Sequence, residues 1–129
     1  MSDIGFSKLT YSESTWPLTR REVTIIPAGR EVICESGDEN GSEYMDHRCA
    51  DGEWRKLEGL LAACDFPAWR GEYYRPVLDG VHWHLELRER DGEVRAFDGM
   101  NDYPAKWEDF MAMCEYCEEI SEIEREQQQ

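Results

Sequence analysis

Between Val81 and Arg88, apolar and polar residues alternate without a break: Val81, Trp83, Leu85 and Leu87 against His82, His84, Glu86 and Arg88. Successive side chains on a strand point to opposite faces, so this segment belongs in a sheet with one covered and one solvated face. Asp91-Gly92 is hairpin-turn chemistry, and Glu93 to Phe97 is expected to return as the second strand. The apolar row then needs a cover, and two amphipathic segments supply one. From Glu53 to Cys64, with Asp51 as its cap, Trp54, Leu57, Leu60, Leu61 and Cys64 recur at helical spacing; Gly59 weakens the segment and Pro67 ends it. A second helix is predicted from about Ala105 to Glu122, carrying Trp107, Phe110, Met111, Cys114 and Cys117 along one side.

Upstream, Val23–Ile26 and Glu31–Glu35 flank Pro27-Ala28-Gly29 and predict another hairpin. Residues 36–52 read as a long acidic loop, with Tyr44-Met45 as its one strand-like interruption, and residues 123–129 as a frayed tail. Leu9-Thr10-Tyr11 reads as a short edge strand, and Phe66–Pro76 as an aromatic-dense tether. The halves echo one another as strand, turn, strand, loop and Trp-bearing helix (Trp54, Trp107). The expected fold is therefore one α+β domain over residues 1–129. It has an antiparallel sheet of about four to five strands in ββα-ββα order, with two helices packed on one face.

The 129 residues, 40% hydrophobic and 12% aromatic, suffice for an ordinary core. Fourteen Lys and Arg face 29 Asp and Glu, a net charge of −15 that repels phosphate backbones and anionic lipid heads. Direct nucleic-acid or membrane binding is disfavoured; a partner protein with a basic surface, or plain solubility, is favoured. The start, Met1-Ser2-Asp3-Ile4-Gly5-Phe6, has no secretory pattern, and five cysteines in a chain with its own core read as reduced thiols of a cytoplasmic protein.

From Tyr73 onward the text has a recognisable order: Tyr73-Tyr74-Arg75-Pro76-Val77-Leu78-Asp79-Gly80, Trp83-His84-Leu85, Asp91-Gly92, Gly99-Met100-Asn101-Asp102-Tyr103-Pro104 and Trp107-Glu108-Asp109-Phe110. Over residues 66–115 this resembles a widespread group of small bacterial proteins with the pattern L-D-G-x-x-W-x-L, D-G and G-x-N-x-Y-P-x-x-W-x-x-F. The resemblance implies a bacterial or phage origin and an α+β fold, and it brings no activity and no catalytic residues. The motif has its own physical reading. Gly99 permits a positive φ, Asn101 or Asp102 tolerates a left-handed backbone, and Tyr103-Pro104 leads into a helix anchored by Trp107.

Cys114-Glu115-Tyr116-Cys117 has zinc or redox spacing, but it falls inside a predicted helix on the stripe of Phe110 and Met111, where thiols act as small hydrophobes. A zinc site from His47, Cys49, Cys114 and Cys117 would need an x-one pair in the loop, outside the usual spacing. His82 and His84 share the polar strand face with Glu86 and Arg88. No phosphate loop and no Gly-x-Ser-x-Gly occur, so no catalytic residue and no cofactor is expected. The leading reading is an acidic protein-binding or inhibitory module acting on another bacterial protein, of phage counter-defence or toxin-immunity type. Such a surface can occupy a basic nucleic-acid channel by mimicry. Its candidate contacts are Asp38, Glu39, Glu43, Asp46, His82, His84, Glu86 and Tyr103. The alternatives are a self-associating domain using Trp16, Trp69 and Tyr73, and a metal-dependent enzyme using His82, His84 or the cysteines.

Overall fold

The computed structural model describes residues 5–15, 19–75 and 80–127, with side chains as far as Glu122. The elements run β1 (Phe6–Thr15), β2 (Thr19–Ile26), β3 (Glu31–Asp38), β4 (Gly41–Arg48), α1 (Asp51–Ala63), β5 (Glu72–Tyr74), β6 (Val81–Glu89), β7 (Val94–Met100) and α2 (Trp107–Gln127). The seven strands form one mixed sheet in the order β4-β3-β2-β1-β6-β7-β5. Every pairing is antiparallel except β5 with β7, which is parallel. Among the described residues no helix is long and apolar enough to cross a membrane.

This overturns the expected four-to-five-stranded sheet in ββα-ββα order. The order is four strands and a helix, then three strands and a helix. Residues 6–15, expected to hold only an edge strand, form the central strand, paired with β2 on one side and β6 on the other. Their Ser and Thr content hid this. Phe6, Leu9 and Tyr11 are buried while Thr10 and Ser12 line the other face, so polarity marks a solvated face and not a loop.

The acidic loop at 36–52 is a second correction. β3 continues to Asp38, β4 returns from Gly41, and α1 begins at Asp51. Met45 and His47 are buried while Tyr44, Asp46 and Arg48 are exposed, an alternation diluted by carboxylates. The supposed tether contains a 3-10 turn at Phe66–Ala68 and the edge strand β5. The helix expected to stop at Glu122 reaches Gln127, into the presumed frayed tail. It starts at Trp107 and not near Ala105, since Pro104 to Trp107 forms a turn closed by a bond from Trp107 N–H to the Pro104 carbonyl at 3.1 Å. Of the aromatics expected to build a dimer patch, Trp69 and Tyr73 are buried and Trp16 lies outside the described residues. Pro76, Val77, Leu78 and Asp79 of the recognised pattern, together with Gln128 and Gln129, also lie outside them.

Register makes one face of the sheet continuous: Leu9, Tyr11, Val23, Ile25, Val32, Cys34, Leu85, Leu87 and Phe97 join Leu57, Leu61, Phe110 and Cys114 of the helices in a single buried cluster. Arg21, on the rim of that face, bonds Glu13 at 3.0 Å and Glu118 of α2, so an ion-paired joint ties helix to sheet. The recognised motif also finds its explanation here. Gly99 is not in the positive-φ region, where the glycines are Gly41 and Gly92. Its role is clearance, because a Cβ at Gly99 would lie 2.1 Å from Trp83 Nε1. That indole N–H donates to the Asp102 carbonyl at 3.0 Å, and Asn101, left-handed at φ 56°, accepts the Val81 N–H through Oδ1 at 3.0 Å. Trp107 then closes on Trp83 with ring centroids 4.8 Å apart.

Candidate functional site

With one face under the helices, the alternate residues of every strand form the other. One row of it is written by the registers in turn: Tyr44 opposite Glu35, Glu35 opposite Glu22, Glu22 opposite Ser12, Ser12 opposite His84, His84 opposite Asp98, and Asp98 opposite Glu72. The row crosses all seven strands. It contains two like-charged pairs, Glu22 with Glu35 and Asp98 with Glu72, each directly opposite across a strand pair. Like charges so placed destabilise a sheet. The centre of the row is low because β1 contributes only small side chains. Ser12 and Ser14 floor a trough of about 540 Å³ walled by Arg20 and Glu22 on one side and His82 and His84 on the other.

The sequence-derived candidates divide between faces. His84 lies in the trough row, and His82, Glu86 and Asp46 occupy the same face in neighbouring rows. Asp38 and Glu39 are at the β3–β4 tip, where Asp38 accepts the Asn40 N–H at 2.8 Å and is engaged in the turn. Glu43 shares the parity of buried Met45 and His47, and so points to the helix side. Tyr103 is on that side too. Its ring packs on Trp107 at 4.9 Å, and its hydroxyl pKa is raised by burial and then by Glu13. Sequence reasoning missed Ser12, Arg20, Glu22, Glu35, Tyr44 and Asp98. The available signal was the alternation in residues 6–15 and 19–26, which tied Glu22 and Ser12 to the solvated face.

At the heart of the row, His84 is held by carboxylates at both ring nitrogens, Nδ1 by Asp98 and Nε2 by Glu86 at 3.0 Å. Ionised carboxylates only accept, so a ring bonded to both must donate from both nitrogens and is an imidazolium. Burial works against that charge, but the hydrogen bonds from Glu86 and Asp98 and their charges outweigh it, and the His84 pKa lies above the ordinary histidine value. Its stabilising contribution is thus complete below about pH 6.5 and lost as pH rises through the elevated value. A proton-NMR titration of the ring should show a midpoint above about 6.5, falling toward that value in Asp98→Asn. A wild-type midpoint at or below it would refute the double carboxylate clamp.

Ser12, His84 and Asp98 are consecutive across three strands, which invites comparison with a hydrolytic triad. The geometry does not run that way: Nε2, which would activate a serine, is turned to Glu86, and the β1 amides that would hold an oxyanion are paired with β2 and β6. The thiols are equally removed from nucleophilic use. All five cysteines are buried and unbridged. Burial pushes Cys34 up to about 11 and Cys64 up to about 12, and raises Cys114 and Cys117 well above the ordinary thiol value.

The zinc set does not assemble. His47 bonds Glu53 through Nε2 at 2.9 Å, and Cys117 contacts Met113 Sδ at 3.7 Å. Partial burial of Glu53 is outweighed by the bonds it accepts from Ala50 N–H and His47, so its pKa is lowered and this contact caps α1. Among the described residues no group of three or more His, Cys, Asp or Glu is placed to hold a metal ion. No protein-family model matches the chain, and a search of the curated proteins finds no match.

Proposed function

We propose that the protein is a docking module that binds a basic surface of another protein on the uncovered sheet face. The observation that carries this reading is the row of like-charged pairs, Glu22 with Glu35 and Asp98 with Glu72, held on a rigid sheet where an incoming cation relieves their repulsion. The net charge of −15 supports it by drawing positively charged partners from a distance. Together with the resemblance to small bacterial proteins, this favours a cytoplasmic inhibitor of phage counter-defence or toxin-immunity type. Such a protein works by occupying a basic channel on its target.

The test compares two double charge reversals of equal size. Glu22→Lys with Glu35→Lys alters the row, whereas Glu115→Lys with Glu119→Lys alters exposed positions of α2. Partner retention on immobilised protein should fall at least about tenfold, roughly 1.4 kcal/mol, for the sheet pair and stay near wild type for the helix pair. Wild-type retention should also weaken between about 0.05 M and about 0.3 M salt. Equal loss from both pairs would remove the sheet face from the reading, and salt-independent retention would remove its electrostatic basis.

A further inference from the structure

We propose that docking on this face expels the proton carried by His84: its ring is an internal cation that occupies Asp98 and Glu86 until a basic side chain of the partner replaces it. The inference rests on the docking reading and names its regulation. In the free protein, acceptor-only groups flank both ring nitrogens, so the imidazolium neutralises one of the two carboxylates it touches. Facing the ring are Asp98 from β7, Glu86 and His82 from β6 and Ser12 from β1. Glu22 stands one strand beyond Ser12, and Glu72 one strand beyond Asp98. Arg20 of β2, opposite Ser14, is a permanent cation on the far wall of the trough; the groups that touch the ring are acidic, and His84 is the titratable cation that they hold.

A guanidinium has five donors and suits two carboxylates at once. When it takes Asp98 and Glu86, the ring loses both acceptors and gains a positive neighbour. Its N–H bond to the surplus proton then breaks, the proton passes to solvent or buffer, and a neutral ring remains. The raised His84 pKa in the free protein sets the direction. Below that value docking must remove a proton, so affinity climbs with pH and levels off once the free ring is already neutral.

The probe is an oligoarginine of about nine residues carrying its label on the amino terminus as an amide, so that no free α-amino group remains and its charge is constant between about pH 6 and about pH 8. At fixed ionic strength the wild type should bind it about tenfold more tightly at the upper pH, and His84→Gln should show a flat profile. Calorimetry in two buffers of different ionisation enthalpy should find a proton released by the wild type at the lower pH and none by His84→Gln. A flat wild-type profile, or a slope that survives in His84→Gln, overturns the proposal. The two charge-reversal pairs separate the failures. If only the sheet pair weakens oligoarginine while the profile is flat, docking stands and proton coupling falls. If both pairs weaken it equally, the docking reading falls and the coupling with it.

Discussion

Replacing Trp69 with alanine is expected to cost about 4 kcal/mol and to lower the thermal midpoint by roughly 12–16 °C. Trp69 stands in the connection between α1 and β5, not in any regular element, yet it is only 6% exposed. Its ring meets Phe66 at 5.1 Å, Phe110 at 5.4 Å, Phe97 at 5.7 Å, and Trp83 and Trp107 at 6.1 Å. It therefore joins the sheet, the connection and α2 in one aromatic contact set, and each such pair adds about 0.5–1.5 kcal/mol beyond area burial. The indole N–H also donates to the Cys64 carbonyl at 2.8 Å, satisfying a group that the end of α1 would leave open. Removing the ring deletes these contacts and leaves a cavity between elements that cannot all close on it. Trp69→Phe should recover most of the loss, because it keeps an aromatic filler and forfeits mainly the hydrogen bond. Denaturant unfolding of the pair checks this. A Trp69→Ala protein within about 1 kcal/mol of wild type would show that the connection is not part of the core.

Gly99→Ala is the second large effect, expected at about 3 kcal/mol for the addition of one methyl group. The backbone there needs no positive φ, so the cost is steric. A Cβ would stand 2.1 Å from Trp83 Nε1 and 2.3 Å from its Cε2, atoms of a rigid ring that is 2% exposed. The indole must move, and with it go the bond to the Asp102 carbonyl and the packing on Trp107. Gly92→Ala is the contrast. Its φ of 96° strains an alanine, but nothing lies within 4 Å of the added Cβ, so about 1 kcal/mol is expected. A double-mutant cycle isolates the mechanism: with Trp83→Leu already present, Gly99→Ala should cost less than about 1 kcal/mol. Additive losses would mean that the glycine acts through the backbone after all.

What was legible in advance follows from how far each feature reaches along the chain. The stripe of Trp54, Leu57, Leu61 and Cys64 is a repeat within a few turns, and it corresponds to the buried side of α1 and its C-cap. The alternation from Val81 to Arg88 likewise specifies the two faces of β6, and Asp91-Gly92 lies in the connection to β7, where the Gly92 N–H bonds the Glu89 carbonyl at 3.0 Å. Residues 36–48 escaped because only Met45 and His47 are buried there, while Gly37, Asp38, Glu39, Asn40 and Gly41 around the β3–β4 tip and the exposed Glu43 on the helix side give a strand pair the composition of a loop. Of the candidate site, His82, His84, Glu86 and Asp46 were named from sequence, but as separate contacts and mixed with Glu43 and Tyr103 from the other side.

The sequence alone determined α1, the β6–β7 hairpin, the acidity and the left-handed turn residue at Asn101, because each depends on spacing, charge or turn chemistry carried within a short stretch. Tertiary structure alone decided that β1 is central and that β5 runs parallel to β7. It also decided that Glu35, Glu22, Ser12, His84 and Asp98 stand in one row. The physical reason is that backbone hydrogen bonding between strands is nearly indifferent to which polar residues it aligns. Only the burial of Leu9, Tyr11, Val23, Cys34 and Leu85 on the opposite face selects the register, and that register places the carboxylates and the histidine side by side.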